Sequence, residues 1–170
     1  MKKILRLLVT KDCPRSCDGC CNKDWDLENL PVVKCFDDFD CDEILITGGE
    51  PLTDENVDKT IAIIEGINVL FPKKGRKVYV YTANPGWPKI LHYCDGITLT
   101  LHNQRDVPSF IRWKHTLETY YEKSLRLNIF KGVTLPKDII LVKWEVKRDV
   151  EWIKDCPLPE DEVFMKMPNV

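Results

Sequence analysis

Three cysteines near the start of the chain have the residue type and the spacing of a metal-binding site. Cys13, Cys17 and Cys20 form a C-x-x-x-C-x-x-C pattern directly after an apolar run at residues 4–9. One short loop can aim three thiolates at a single point, and thiolates suit iron–sulfur clusters, Cu(I) and zinc. A [4Fe–4S] cluster ordinarily takes four cysteines, so three would leave one iron without a protein ligand. Such an open position on a metal is where a substrate or a cofactor binds.

A pair of glycines follows the second apolar run of the chain. Residues 44–51 read Ile-Leu-Ile-Thr-Gly-Gly-Glu-Pro, and two adjacent glycines let the backbone approach a ligand closely. Together with the cysteine pattern, this stretch resembles the radical S-adenosylmethionine (SAM) enzymes. In that family, three cysteines follow the first strand and a Gly-Gly-Glu-Pro stretch ends the second.

The resemblance implies the cofactors and the reaction. The three cysteines would bind three irons of a [4Fe–4S] cluster, and the amino and carboxylate groups of SAM would chelate the fourth. The backbone at Gly48 and Gly49, with Glu50 nearby, would receive the SAM amino group. An electron from a reducing donor would then cleave SAM to methionine and a 5′-deoxyadenosyl radical, which abstracts hydrogen from a substrate. The protein would orient the cofactors and exclude water and oxygen.

The residues beside the third cysteine depart from the family pattern. An aromatic residue usually precedes that cysteine, and Gly19 stands there in this chain. The aromatic ring that covers the adenine edge of SAM is therefore absent or supplied from elsewhere, with Trp25 as a candidate. Cys21 directly follows Cys20, and adjacent cysteines point in different directions in most backbones, so we expect Cys21 to be a bystander. The isolated cysteines are expected to be reduced and to act as small buried hydrophobic residues: Cys35, Cys41, Cys94 and Cys156.

Strands that alternate with helices must position these residues. Apolar runs and alternating patterns predict strands at residues 4–9, 43–47, 77–82, 96–102, 124–130, 139–146 and 162–167. Helices are predicted after the second strand, at residues 88–93 and 108–121, and from Asp149 through Ile153. The link through residues 131–138 is too short for a crossover helix, so the strand after it is expected to be antiparallel or part of an insertion.

This alternation predicts right-handed β/α units and a parallel sheet. The chain has 170 residues, whereas a complete eightfold barrel needs about 200 or more. We therefore expect an α/β fold in a single domain of residues 1–170, with a partial, open barrel of about six parallel strands. This architecture matches the fold of the radical SAM family.

Polar residues at the ends of several predicted strands extend the candidate site. Ligands of parallel α/β folds bind at the carboxyl ends of the strands, so the cysteines, Gly48 to Glu50, Asn84 and His102 should line one mouth. His102 is a candidate acid or base toward the substrate. Asn84 is a candidate for cofactor binding at the end of the third strand. The polar strand faces add candidates for the ribose, the SAM carboxylate or the substrate: Thr98, Thr100, Arg126 and Asn128.

Composition narrows the class of protein further. Apolar residues make up 44% of the chain and charged residues 31%, with a formal net charge of −2, which gives no electrostatic case for binding nucleic acid or an anionic membrane. No apolar run approaches the roughly 20 residues of a membrane span. The chain starts with basic and then apolar residues, but the apolar run is short, is interrupted by Arg6 and lacks a small-residue cleavage site, so we do not expect a signal peptide. We therefore expect a cytoplasmic protein.

Two subfamilies of the radical SAM enzymes offer different candidates for the substrate. Residues 18–23 resemble the C-x-G-C-Y-N stretch of the activating enzymes of anaerobic ribonucleotide reductase, which make a glycyl radical on a partner protein, although Cys21 replaces the tyrosine. The tail at residues 142–146 and 163–168 resembles 7-carboxy-7-deazaguanine synthase, which acts on a small molecule. That family has an Mg²⁺-binding position after its third cysteine, which Cys21 does not offer. The substrate is therefore small or arrives on a partner protein.

Two alternatives lie outside the radical SAM class. One is a structural zinc module, with Cys35 as an optional fourth ligand beside the three clustered cysteines; it leaves Gly48 to Glu50 unexplained. The other is an electron-carrying iron–sulfur protein, which would ordinarily need a fourth cysteine close by. Binding of SAM separates the enzyme from both.

Overall fold

A computed structural model describes residues 3–170 and contains one sheet. In this range the sheet has seven strands, all parallel, in the order β6-β5-β4-β3-β2-β1-β7. The α/β class and the parallel sheet are confirmed; all seven predicted strands are present, and all seven are parallel rather than about six. The strands span Ile4–Thr10 (β1), Glu43–Gly48 (β2), Lys77–Thr82 (β3), Gly96–Leu101 (β4), Ser124–Phe130 (β5), Trp144–Val150 (β6) and Glu162–Lys166 (β7).

Two α-helices occur within residues 3–170, and both cover the same face of the sheet. Helix α1 spans Val57–Leu70 and helix α2 spans Val107–Glu118, where a proline in the first turn suits the helix start. The remaining helical segments are short 3-10 turns, including the one at Pro88–His92 where a short helix was predicted. The link between β1 and β2 likewise contains only 3-10 turns.

The two faces of the sheet differ in chemistry because side chains alternate along each strand. The face under the helices, here called the helix face, is the apolar core. It includes Leu7, Ile46, Val80, Leu99 and Leu127, all fully or almost fully buried, against Ile64 of α1 and Phe110 of α2.

The opposite face, here called the open face, carries charged and aromatic residues. Arg6 pairs with Glu162 at 2.7 Å. Arg126 pairs with buried Glu43 at 3.5 Å and lies 3.9 Å from the ring centroid of Tyr79. A strand face with such residues is built for polar contacts rather than for packing against a helix layer.

The predictions for the region after β5 are wrong in three respects. The strand begins at Trp144 rather than at residue 139, and it is parallel to β5 rather than antiparallel. The later start leaves residues 131–143 for the connection, which is long enough for a crossover without a helix. The predicted helix from Asp149 is absent: Asp149 is the second-last residue of β6 and has a positive φ of 53°. Residues 151–161, here called the strap, then lead to β7 with no helix or strand.

No helix within residues 3–170 combines the length and the apolar composition that crossing a membrane requires.

Candidate functional site

The loop after β1, residues 11–20, is here called the cysteine loop, and it is bonded to the end of β2. The Gly49 N–H donates to the Thr10 carbonyl and the Glu50 N–H donates to the Asp12 carbonyl, both at 2.9 Å. A methyl group on Gly48 would overlap the Thr10 carbonyl, and one on Gly49 would overlap the Asp12 carbonyl. The two glycines are therefore required by the close approach of the two loops.

Glu50 is buried, and its carboxylate is fully engaged within the protein. One oxygen accepts from the Leu52 N–H at 3.1 Å and from the Thr82 hydroxyl, and the other accepts from the Ala83 N–H at 2.8 Å. Glu50 thus ties the end of β2 to the end of β3. The adjacent Gly48 carbonyl accepts from the side-chain amide of Asn22 at 2.9 Å. This asparagine matches the last position of the C-x-G-C-Y-N stretch that residues 18–23 resemble, but the sequence predicted no role for it.

The three cysteines of the cysteine loop carry free thiols, with Cys13 exposed and the other two partly buried. Burial raises the pKa of the Cys13 thiol. A backbone hydrogen bond from Arg15 lowers this pKa, and negative charge at Glu50, Cys17 and Cys20 raises it further. The three thiols are thus close enough to interact electrostatically. Within residues 3–170, no three His, Cys, Asp or Glu side chains form a ready-made metal-binding group.

Arg15 anchors the cysteine loop to the turn between β4 and α2. Its guanidinium donates to both carboxylate oxygens of Asp106, at 2.7 and 2.8 Å. Asp106 is buried and also accepts from the backbone N–H groups of His102, at 2.8 Å, and Asn103, at 3.2 Å. Burial lowers the pKa of Arg15, but the contacts with Asp106 and then Cys17 outweigh it, so the pKa lies above its ordinary value.

The strand-end residues predicted for the site lie at the expected edge but in different environments. The Asn84 amide donates to the Leu52 carbonyl and accepts from the Gly86 N–H, so it organises the loop after β3. His102 lies just after β4 and is partly buried. Burial, and then the charge of Arg15, lower the pKa of His102.

The open face brings the remaining candidates together in two rows. Thr100 lies beside Asn128, and Thr98 lies beside Arg126, in the register of β4 with β5. Both Thr100 and Asn128 are partly exposed. Among the described residues, three buried polar side-chain atoms lack a hydrogen-bond partner, and all belong to this region of the fold: Arg15 Nε, Thr98 Oγ1 and His102 Nδ1.

The strap lies against the carboxyl ends of the strands. The Trp152 ring stacks on His102 with centroids 5.2 Å apart and lies 4.7 Å from Phe130. A side chain at Gly19 would overlap the Trp152 indole. Trp152 therefore lies against Gly19, the residue before the third cysteine, whereas Trp25, the predicted candidate, lies against Phe164 with ring centroids 4.3 Å apart.

A disulfide joins Cys21 to Cys156 of the strap, with the Cα atoms 5.5 Å apart. A disulfide-bonded Cys21 agrees with the prediction that it stands beside the cluster ligands without being one of them. The prediction that Cys156 is a reduced thiol is wrong, because the strap brings together two residues that are 135 positions apart. Of the other isolated cysteines, Cys41 and Cys94 are buried as predicted, whereas Cys35 is exposed.

A cavity of about 260 Å³ lies between the strap and the open face. Its floor includes Arg6 of β1 and Thr47 of β2, and its walls include Trp25, Trp152 and Phe164. Apolar walls around a few polar groups are typical of small-molecule sites.

Comparison with models of known protein families finds no match for the chain, and comparison with curated proteins finds none either. Assignment of a function therefore depends on the site itself.

The residues present supply the donor type that an iron–sulfur cluster takes, although within residues 3–170 they are not gathered into a ready-made metal-binding group. Three free thiols on one loop are the donor set that such a cluster takes. The space beside the glycine pair is filled by the carbonyls of Thr10 and Asp12. The unpartnered Arg15 Nε and Thr98 Oγ1 are polar groups that a ligand could satisfy.

Proposed function

We propose that the chain is a radical SAM enzyme with an active site at the carboxyl ends of its parallel strands. The observation that carries the proposal is the bonding of the three-cysteine loop to the Gly48–Gly49 turn, since the two motifs belong to one site in the family they resemble. The neighbour-to-neighbour order of β1 to β6 supports a further proposal, that the sheet is a partial, open β/α barrel.

Three cysteines would hold the cluster: Cys13, Cys17 and Cys20. When bound, the cluster and SAM supply reductive cleavage of SAM to a 5′-deoxyadenosyl radical that abstracts hydrogen from the substrate. Such chemistry requires a reducing electron donor, which accords with a cytoplasmic location. Arg15 would keep the cysteine loop against the turn after β4 through its two hydrogen bonds to Asp106.

The chain's own residues would bind and orient the second cofactor. Because the Glu50 carboxylate already accepts three hydrogen bonds, we assign the SAM amino group to backbone carbonyls at Gly48 and Gly49, with Glu50 holding that turn in place. Thr100 and Asn128 offer hydroxyl and amide groups for the ribose or the carboxylate. Asn84 would act by shaping the loop beside them.

The cavity under the strap favours a small-molecule substrate over a partner protein. Its volume of about 260 Å³ lies near the lower end of the range for small-molecule sites. A 7-carboxy-7-deazaguanine synthase-like activity is therefore the first substrate class to test, and activation of a glycyl-radical partner is the second.

The test is SAM cleavage by the anaerobically purified chain after reconstitution with iron and sulfide. We expect 5′-deoxyadenosine on addition of dithionite and SAM, and none from Cys17→Ala. The matched control is Cys35→Ala, which removes an exposed free cysteine outside the cysteine loop and should retain product. A brown protein that neither binds nor cleaves SAM would instead indicate an electron carrier, and a colourless zinc protein would refute the proposal.

A further inference from the structure

The strap is attached to the rest of the fold at few points. Within it, the Cys156 N–H donates to the Ile153 carbonyl at 3.1 Å, and its far end is bonded through the Glu162 N–H to the Pro159 carbonyl at 3.0 Å. Both of these bonds are local. At its two ends the strap also contacts other elements, through an exposed ion pair of Glu151 with Lys131 at 2.8 Å and through the Ile4 N–H, which donates to the Asp161 carbonyl at 3.1 Å. Ile153 is 66% exposed and Trp152 is 39% exposed, so burial contributes little to holding the strap.

Two contacts fix the middle of the strap across the open face, and both involve the 3-10 turns after the cysteine loop. Cys156 is bonded to Cys21, and its carbonyl accepts from the Trp25 indole N–H at 2.9 Å. A third contact, the stacking of Trp152 on His102, lies four residues earlier. The disulfide is the one covalent attachment among these.

We propose that the Cys21–Cys156 disulfide is a redox lock that holds the strap closed over the cavity beneath it. A dithiol reductant opens the lock by thiol–disulfide exchange: one thiolate attacks a sulfur of the disulfide, a mixed disulfide forms, and the second thiol resolves it. Two electrons and two protons pass to Cys21 and Cys156, which become thiols, and the reductant becomes a cyclic disulfide. With the covalent attachment lost, the middle of the strap is held by the ring contacts of Trp152 and by the hydrogen bond from Trp25 to the Cys156 carbonyl. The ends of the strap keep an exposed ion pair of Glu151 and the hydrogen bond to the Asp161 carbonyl.

Opening of the lock would change access to the cavity and the freedom of the cysteine loop. Cys156, Trp152 and Ile153 all line the cavity, so movement of the strap removes one of its walls. Cys21 directly follows Cys20, so the same step releases the end of the cysteine loop. This inference goes beyond the proposed function and does not depend on it, because it concerns the fold without cofactors.

The experiment compares amide hydrogen exchange and thiol alkylation before and after dithiothreitol. In the chain purified without reductant, iodoacetamide should leave Cys21 and Cys156 unlabelled, and after reduction both should be labelled. Exchange at the Cys156 amide, whose N–H donates to the Ile153 carbonyl within the strap, should then rise by about tenfold or more, because this local bond opens at low cost once the disulfide is lost. Exchange in β3 and β4 should stay unchanged.

One variant that lacks the disulfide and one control variant test whether the change in exchange comes from this bond. Cys156→Ser should show the fast strap exchange with or without dithiothreitol, whereas Cys35→Ser should behave as the unaltered chain. If Cys156→Ser does not fold, Cys21→Ser tests the same bond from the other side. Labelling of both cysteines before reduction, strap exchange that reduction leaves unchanged, or a rise that extends to β3 and β4 would each overturn the proposal.

Discussion

Loss of the ion pair between Arg15 and Asp106 should destabilise the fold measurably and loosen the cysteine loop. Removing one partner of a fully buried pair costs about 3–5 kcal/mol, and an exposed pair contributes about 0–1 kcal/mol. The Asp106 side chain is 7% exposed and that of Arg15 is 26% exposed, which places this pair between the two limits. We therefore expect a coupling free energy of about 2 kcal/mol.

A double-mutant cycle with Arg15→Met and Asp106→Asn measures that coupling. Each variant should lower the free energy of unfolding, and the double variant should lose less than the sum of the two. With a urea dependence of about 2 kcal/mol per molar, the single variants should shift the unfolding midpoint by about 1 M. Iodoacetamide labelling of the loop cysteines should also become faster. A coupling free energy below about 0.5 kcal/mol would refute the reasoning, because it is the value for pairs open to water.

Three further outcomes test the site and the core. Gly49→Ala should destabilise or prevent folding because its methyl group overlaps a backbone carbonyl, whereas Gly66→Ala, with open space in α1, should gain about 0.5–1 kcal/mol in the free energy of unfolding. Burial raises the pKa of Cys94 to about 12, so mass spectrometry after alkylation of the folded chain at pH 9 should show labelled Cys35 and unlabelled Cys94. The lowered pKa of His102 means that the unfolded chain binds more protons, so the free energy of unfolding should fall as the pH drops below 6.5, and His102→Gln should flatten that slope in urea titrations.

The strands of the sheet centre could be predicted because their patterns are local. The bounds of β3 and β5 agree with the alternating residues that predicted them. The edge strand β6 could not be located in this way. The apolar run at residues 139–142 looked like a strand, yet Ile140 is 67% exposed and Val142 is 89% exposed. The strand itself is rich in charged residues, as edge strands often are.

The residues of the candidate site could likewise be predicted only where their pattern is local. The three cysteines and the glycine pair form short motifs, so the sequence alone pointed to them. The pairing of Arg15 with Asp106 spans 91 positions and that of Cys21 with Cys156 spans 135. Contacts over such distances leave no periodic trace in the sequence, and only the order of the strands brings the partners together. Trp152 was missed for a further reason. The sequence predicts a helix from Asp149 that includes Trp152, and the positive φ of Asp149 prevents that helix from starting there.

The position of the strap also makes it a tether of limited length. It joins the carboxyl end of β6, at one edge of the sheet, to the start of β7 at the other edge. Six strand spacings of about 4.8 Å separate these edges, about 29 Å in a flat sheet. Because β7 starts at the amino end of the parallel sheet, the strap must also cover the length of that five-residue strand, about 16 Å, which makes the crossing about 33 Å. Eleven extended residues reach about 36–40 Å. A detour around the helix face would exceed that reach. Even with its disulfide reduced, the strap could therefore move only a short distance from the open face. A deletion of a few strap residues would leave it too short to join the two edges, and β7 would separate from β1.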